Sequence, residues 1–235
     1  MRIDKYLSNL KYGTRSSITA DIKNGYVKVN NKVETNNRRK IDPKIDKITY
    51  KDEEVIYYEM INIALYKPKG YLSANVDNLH QVAVSLINEP FNRYDLKIAG
   101  RLDLDAEGLL ILTTSGKFAY QITSPNNKIK KIYEVTLNKK YIHNDIIYKG
   151  LEIKDGNNQN YIAKALNIEI ISDNIVHLTI DEGKFHQVKR MFKALDYEVV
   201  NLKRIQIGNL KLGDLKPGEY KTFRKEELLW LKHCY

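Results

Sequence analysis

The spacing of hydrophobic residues changes along the chain, from a helical period at the start to short apolar runs further on. Apolar positions at helical spacing predict a first helix over residues 4–10 and a second helix over 17–24. Thr14 is placed to cap the second helix, and Asn24-Gly25 is placed to end it. The following residues alternate around Asn30-Asn31, a dipeptide that tolerates positive φ. The opening segment therefore predicts helix, helix and hairpin.

From residue 60 onward, short apolar runs of strand character dominate. These runs occupy 61–66, 109–114, 132–137, 165–171 and 175–180. Helical stretches are fewer and are predicted at 116–123, 185–195 and 224–231. Because strands and helices do not alternate regularly, the pattern predicts an α+β fold with a mainly antiparallel sheet. A change from basic to acidic composition near 52–60 divides the chain into predicted domains 1–58 and 59–235.

The composition is that of an ordinary globular protein. Of 235 residues, 43% are hydrophobic and 29% are charged, which excludes wholesale disorder, collagen-like repeats and a coiled coil. No apolar run approaches the roughly 18 residues of a membrane span, and the first residues lack the apolar core of a secretory signal. Cys234 is the only cysteine and has no partner for a disulfide within the chain. We expect a cytoplasmic protein that does not contact membranes.

The net charge of +10 indicates a polyanionic partner, most often a nucleic acid. The excess is concentrated at the start, since residues 1–51 carry 13 basic and 5 acidic side chains. Lysine outnumbers arginine 30 to 9, however, a bias that an AT-rich genome produces without any functional cause. Composition alone therefore leaves nucleic-acid binding open.

The densest polar cluster lies in residues 99–116, just before a buried apolar run. There Arg101, Asp103, Asp105 and Glu107 alternate with small or apolar residues. Such a loop fits a catalytic carboxylate presented at the edge of a sheet. It also fits an ordinary solvated loop, or three carboxylates around Mg²⁺. The spacing does not choose between these interpretations.

No cofactor motif is present in the chain. No G-x-G-x-x-G follows a strand, and Gly116-Lys117 lacks the glycine that a P-loop needs at position 111, which is Ile111. The histidines show no metal-ligand spacing; they are His80, His143, His177, His186 and His233. For His186 we expect a structural hydrogen bond. We expect no cofactor and no metal.

The first 45–50 residues resemble the S4 RNA-binding domain. The matching positions are Arg2, Asp4, Lys5, Leu7, Arg15-Ser16 and the run from Ile22 to Asn30. The resemblance implies a small α/β domain that binds RNA phosphates. Its expected RNA-binding residues are Arg2, Lys5, Arg15, Ser16, Lys23 and Lys28.

The rest of the chain resembles the pseudouridine synthases. Gly100-Arg101-Leu102-Asp103 with Asp105 and Gly108 matches their signature loop, although Ala106 stands where members often carry threonine. The other matching segments follow in family order: Lys67–Tyr71, Lys131–Tyr133, Glu182–Phe192, Val200–Gly208 and Leu215–Tyr220. An S4-like domain in front is similar to the RsuA-like branch, which acts on ribosomal RNA. The resemblance implies a larger domain on a mainly antiparallel sheet with a catalytic cleft.

The resemblance also implies roles for individual residues. Asp103 is the expected essential carboxylate, Lys189 its basic partner, and Tyr133 the ring that stacks on uracil. Leu202 is an expected apolar wall, and Arg101 is expected to fill the gap left by a flipped base or to hold a phosphate. The remaining expected substrate contacts line a positive cleft: Lys67, Lys69, Lys184 and Arg190. Whether Asp103 attacks ribose, attacks uracil or acts as a base stays open.

The expected partner is ribosomal RNA, specifically 16S RNA as a small-subunit assembly intermediate, with the enzyme acting as a monomer. Thr123-Ser124-Pro125 favours the small-subunit type over large-subunit 23S enzymes. Two other classes remain as alternatives. One is a non-enzymatic S4-type ribosome-assembly factor, and the other is a Mg²⁺-dependent nuclease that uses the carboxylates of residues 103, 105 and 107.

Overall fold

The computed structural model describes residues 1–223 and residue 227, and it forms two compact units. The first unit comprises Met1–Ile61 together with Asn88–Asp95, a segment that comes from the middle of the chain. The second unit comprises Asn62–Ile87 and the chain from Leu96 onward. The helix predicted over 224–231, apart from residue 227, lies outside the described residues, as do His233 and Cys234.

The first unit has two helices and a four-stranded antiparallel sheet of order β2-β1-β3-β4. Its elements are α1 (Ile3–Asn9), α2 (Arg15–Lys23), β1 (Val27–Val29), β2 (Lys32–Val33), β3 (Ile48–Tyr50) and β4 (Glu53–Glu54). Thr14 caps α2 by accepting a hydrogen bond from the Ser17 N–H at 3.2 Å. Asn30 and Asn31 both adopt positive φ between β1 and β2. The predicted order of helix, helix and hairpin is confirmed.

A continuous apolar core holds the first unit together. Ile3 and Leu7 of α1 and Ile18 and Ile22 of α2 are completely buried against the sheet. The spacing of these side chains along each helix places them on one face, which is the face that packs inward. Tyr94 from the Asn88–Asp95 segment packs against the same core.

The second unit is built on a nine-stranded sheet, described by the order β11-β12-β8-β13-β7-β5-β15, with β14 beside β13 and β6 beside β7. Its strands are β5 (Asn62–Lys67), β6 (Lys97–Ala99), β7 (Glu107–Thr113), β8 (Lys131–Leu137), β9 (Leu151–Lys154), β10 (Asn160–Ala163), β11 (Asn167–Ser172), β12 (Ile175–Ile180), β13 (Val199–Ile207), β14 (Leu210–Lys211) and β15 (Tyr220–Thr222). Its helices are α3 (Gly116–Thr123), α4 (Ile146–Lys149) and α5 (Gln187–Lys193). Strands β9 and β10 form a separate ribbon.

The pairing within the large sheet is antiparallel except between β13 and β7, which run parallel. The predicted α+β class with a mainly antiparallel sheet is therefore confirmed. The predicted helix over 185–195 is shorter in the structure, because His186 has φ +52° and lies outside helical conformation. In the described part of the chain, no helix is long and apolar enough to cross a membrane.

Candidate active site

The loop between β6 and β7 carries Asp103, and Arg204 on β13 holds both ends of that loop. The Arg204 guanidinium donates to the carbonyl oxygens of Leu109 at 2.8 Å, Gly100 at 3.2 Å and Arg101 at 3.3 Å. Arg204 is only 2% exposed. Buried backbone carbonyls need hydrogen-bond donors, and the Arg204 side chain alone donates to three carbonyls here.

Gly108 lets β7 approach β13 closely enough for this arrangement. Gly108 pairs with Arg204 in the parallel ladder and has φ +105°. A Cβ at position 108 would lie 2.3 Å from the Arg204 carbonyl oxygen, a distance that real side chains do not adopt. A glycine is required here by both the backbone conformation and the close approach.

The segment after β5 holds the Asp103 loop from a second direction. The Ser73 hydroxyl donates to the Leu102 carbonyl at 2.9 Å and accepts from the Leu102 N–H at 3.0 Å. The Gly70 N–H donates to the Leu104 carbonyl at 2.8 Å. The backbone on each side of Asp103 is therefore fixed before any substrate arrives.

Two nitrogen-bearing side chains flank the Asp103 carboxylate. His186 Nε2 lies 3.5 Å from Oδ1, and Lys189 Nζ lies 3.4 Å from Oδ2. Lys189 is closer to Asp105, with Nζ 2.6 Å from Oδ1. Burial is the largest single effect and raises the pKa of Asp105. The hydrogen bond and positive charge of Lys189, with smaller contributions from a backbone hydrogen bond and His186, together hold that pKa below its ordinary value. The pairing with Asp105 therefore keeps the Lys189 ammonium next to Asp103.

A cavity of about 480 Å³ opens beside this carboxylate. Of the residues expected from the sequence, five line it: Arg101, Asp103, Tyr133, Lys184 and Leu202. Tyr133 and Leu202 are each 6% exposed, and both line the cavity, where they present apolar surface. The cavity therefore combines an anionic group with two apolar walls, which suits a flat base attached to a sugar.

Comparisons with known proteins agree with this geometry. The family model described as RNA pseudouridylate synthase matches residues 61–194, and the S4 domain model matches residues 1–44. The chain belongs to the RNA pseudouridylate synthase family. It is 38% identical to an uncharacterized RNA pseudouridine synthase of Bacillus subtilis, YtzG, over 97% of each chain. It is 35% identical to ribosomal small subunit pseudouridine synthase A of Vibrio cholerae, over 97% of this chain and 98% of that one.

A solved structure supports the same assignment. A crystal structure of a pseudouridylate synthase is 34% identical, covers 98% of this chain and 99% of its own, and superposes with a TM-score of 0.67. The protein is therefore an RNA pseudouridine synthase, an isomerase with an S4 domain at its amino terminus.

Three other expected substrate contacts of this synthase lie away from the cavity wall. Lys67 is completely buried, and its Nζ donates to the carbonyls of Pro68 at 2.9 Å and Tyr71 at 2.8 Å. This burial corrects the expectation that Lys67 lines an RNA cleft. Arg190 donates to the Lys154 carbonyl at the end of β9, and Lys69 is exposed on the turn after β5.

Three further residues contact the site or its loop, although the sequence predicted no role for them there. His186 was expected to make only a structural hydrogen bond, yet it stacks on Phe185 with ring centroids 3.7 Å apart and contacts Asp103. Arg204 and Ser73 hold the loop. His186 and Arg204 lie within segments that match the family, so their position in those segments was the available signal.

The carboxylates of the loop do not converge as a metal site would require. Glu107 accepts hydrogen bonds from the Tyr66 hydroxyl at 2.9 Å and from Asn201 Nδ2 at 3.1 Å. Within residues 1–223 and residue 227, no group of three or more His, Cys, Asp and Glu residues is arranged to hold a metal ion. This geometry does not fit the Mg²⁺-dependent nuclease.

In the S4 domain, the expected RNA-binding residues differ in their contacts. Arg2 NH2 and Arg15 Nε lie 2.7 and 3.2 Å from Asp4 Oδ2, whose carboxylate is buried. Lys28 pairs with Asp52 at 2.7 Å. Lys5, Ser16 and Lys23 are exposed.

Proposed function

We propose that this synthase converts a uridine of small-subunit ribosomal RNA to pseudouridine, with Asp103 as the essential carboxylate. The position of Asp103 carries the proposal, because it lines the cavity between His186 and Lys189 on a loop fixed by Arg204. The small-subunit target is supported by the full-length similarity to ribosomal small subunit pseudouridine synthase A.

The reaction breaks the C1′–N1 bond, turns the uracil, and joins C1′ to C5. The C5 hydrogen leaves as a proton and N1 gains one, so no atoms or electrons are gained or lost overall. The chemistry needs an ionised carboxylate and a closed space that retains the detached base. Asp103 supplies the first, and the walls formed by Tyr133 and Leu202 supply the second.

The Asp103 carboxylate lies beside a cation that it shares with Asp105. Lys189 contributes a cation 3.4 Å from Asp103, and Asp105 holds the same ammonium from its other side. A cation this close attracts the negative charge of the carboxylate. Lys189 therefore acts as the basic partner of Asp103.

The target uridine leaves the RNA stack to enter the cavity, at a cost of a few kcal/mol. Arg101 is exposed at the cavity wall, two residues before Asp103, and occupies the space beside the flipped nucleotide or contacts a phosphate. The exposed cations of the S4 domain anchor the RNA through its phosphates.

The test is tritium release from [5-³H]uridine-labelled ribosomal RNA, since tritium is lost only when a bond forms at C5. Wild type is expected to release tritium from small-subunit RNA or its assembly intermediates. Asp103→Asn is expected to lower turnover about 1,000-fold or more while leaving the RNA Kd within about threefold. Substantial activity in that variant would contradict the role of Asp103.

The choice of RNA separates the remaining possibilities. Release from large-subunit RNA alone would keep the reaction and change the proposed target. Release from neither RNA, together with tight binding, would favour the non-enzymatic ribosome-assembly factor.

A further inference from the structure

Lys131 belongs to a segment that matches the family, but it has no role in the reaction steps assigned to Asp103, Lys189 and Tyr133. It lies on β8, lines the same cavity as Asp103, and is only 9% exposed. Among residues 1–223 and residue 227, its Nζ donates one hydrogen bond, to the Ile129 carbonyl at 3.0 Å. An ammonium carries three N–H donors, so Lys131 has capacity for an acceptor inside the cavity.

The register of β8 places Lys131 beside the ring that receives the base. Side chains alternate along a strand, so Lys131 and Tyr133 project from the same face, about 7 Å apart. The outer end of the side chain lies near Gly183, since a Cβ there would be 3.9 Å from Lys131 Cε, an ordinary contact distance. The side chain therefore reaches the cavity wall beside Tyr133.

The carboxylates nearest to Lys131 have other partners. Glu182 accepts from Gln187 Nε2 at 3.2 Å, and Asp181 Oδ2 lies 3.8 Å from Lys128 Nζ. Arg204 brings a second buried cation to the same cavity, with its guanidinium 6.0 Å from the centre of the Tyr133 ring. The cavity thus holds two buried cations beside Tyr133.

The surroundings of Lys131 lower its pKa. Burial, with a smaller contribution from the positive charge of Arg204, lowers the pKa of Lys131 to about 8, although Asp181 and Glu182 oppose the change. A cation in such surroundings is stabilised by a ligand that brings carbonyl oxygens or negative charge. Uracil has two carbonyl oxygens and becomes anionic when it departs with the electron pair of the C1′–N1 bond.

We propose that Lys131 is a uracil-binding residue that donates a hydrogen bond to a carbonyl oxygen of the flipped base and stabilises the detached uracil anion. The inference rests on the proposed function. When the C1′–N1 bond breaks, its electron pair stays on the uracil and spreads onto the carbonyl oxygens. When C5 bonds to C1′, the charge on the base returns to zero. The C5 proton then leaves and N1 gains a proton, so the base stays neutral. Lys131 keeps its protons throughout.

The test compares kcat for tritium release and RNA affinity between wild type and Lys131→Met, which keeps the stem and removes the charge. We expect kcat to fall about 100-fold or more, because one donor to a developing anion contributes that much. The RNA Kd is expected to stay within about threefold, since Lys131 is buried and does not meet phosphates. Lys130→Met removes one exposed lysine from the neighbouring position, and we expect wild-type kcat within about twofold.

The outcomes separate this inference from the proposed function. Wild-type enzyme that releases no tritium from any ribosomal RNA overturns both. Active wild type with an equally active Lys131→Met, or a variant weakened only in Kd, overturns the inference alone. If Lys131→Met unfolds, Lys131→Gln decides, because it keeps a donor without the charge. A folded Gln variant with wild-type kcat overturns the inference, and a folded variant at least tenfold slower supports it.

Discussion

The S4 unit and the catalytic unit bury charged groups of opposite sign. The S4 unit buries a carboxylate, and the catalytic unit buries cations. In the first unit, the Asp4 carboxylate is 1% exposed, while Arg2 and Arg15 contact it from the surface. In the second unit, Arg204 and Lys131 are themselves buried. Lys189 is 23% exposed, while its partner Asp105 is 72% exposed. The first arrangement leaves cations where phosphates reach them. The second leaves cations where only backbone carbonyls or an enclosed ligand reach them.

This difference has a physical consequence for each unit. Exposed cations act through water, so their contribution to RNA binding falls as salt increases. Buried cations are little screened, and removing one leaves its acceptors without a donor. Mutation of the two kinds of cation therefore separates binding from stability and turnover.

The largest expected effect comes from Arg204→Met, which tests whether the buried guanidinium holds the catalytic loop. The carbonyls of Gly100, Arg101 and Leu109 lose their donor, and each such bond contributes about 1 kcal/mol. We expect the free energy of unfolding of the second unit to fall by about 3 kcal/mol, with turnover falling as the Asp103 loop loosens. Urea denaturation and tritium release measure the two effects.

Lys203→Met is the matched control for this substitution. Lys203 precedes Arg204 on β13 and faces Glu134, with Nζ 3.6 Å from Oε1. We expect this half-buried pair to contribute less than about 1 kcal/mol. An Arg204→Met variant no less stable than Lys203→Met would contradict the bracing role of Arg204.

The next effect is the pH dependence of Asp4→Asn in the first unit. Burial raises the pKa of Asp4, but hydrogen bonds from Arg2, Arg15 and the Lys5 N–H outweigh it, so the pKa lies below its ordinary value. Stabilisation from such a group is complete above the unfolded pKa, about 3.9, and is lost as pH falls through the folded value. We expect the variant to lose about 1–2 kcal/mol at pH 7, with the difference vanishing in acid.

Hydrogen exchange of the α1 and α2 amides in the full-length chain measures this loss. Asp52→Asn serves as the control, because Asp52 pairs with Lys28 but is 84% exposed. We expect it to change protection much less than Asp4→Asn does, because an exposed pair is screened by solvent. A difference between wild type and Asp4→Asn that persists unchanged at pH 3 would show that the carboxylate charge is not its source.

Much of the fold was predictable from local pattern. Thr14 and Asn30-Asn31 each carry a local conformational preference, and the structure confirms the helix start and the hairpin that they predict. The long strand β13 was not predicted, because its buried positions alternate with polar residues and include Arg204 itself. A buried arginine has the sequence character of a surface residue, so its place in the sheet depends on tertiary partners.

The site shows the same limit. Asp103, Tyr133 and Leu202 were expected from matching segments, and the structure brings all three to one cavity. Lys67 was expected to line a positive cleft because it lies in a matching segment, but two carbonyl acceptors accommodate its ammonium in the interior. These acceptors, Pro68 and Tyr71, are close to Lys67 in sequence, but the burial of Lys67 depends on tertiary packing, which no local pattern reports.

The smallest expected effect comes from the double variant Lys5→Gln with Lys23→Gln, which removes two exposed cations of the S4 unit. We expect the free energy of unfolding to stay within about 0.5 kcal/mol of wild type. The slope of log K against log salt for ribosomal RNA is expected to become shallower by about 1 for each phosphate that no longer has a lysine partner. Lys44→Gln with Lys47→Gln removes the same charge from lysines that already pair with Glu59 and Glu54. If both double variants change the slope equally, net charge rather than the predicted S4 contacts governs binding, and the contrast between exposed and paired cations fails.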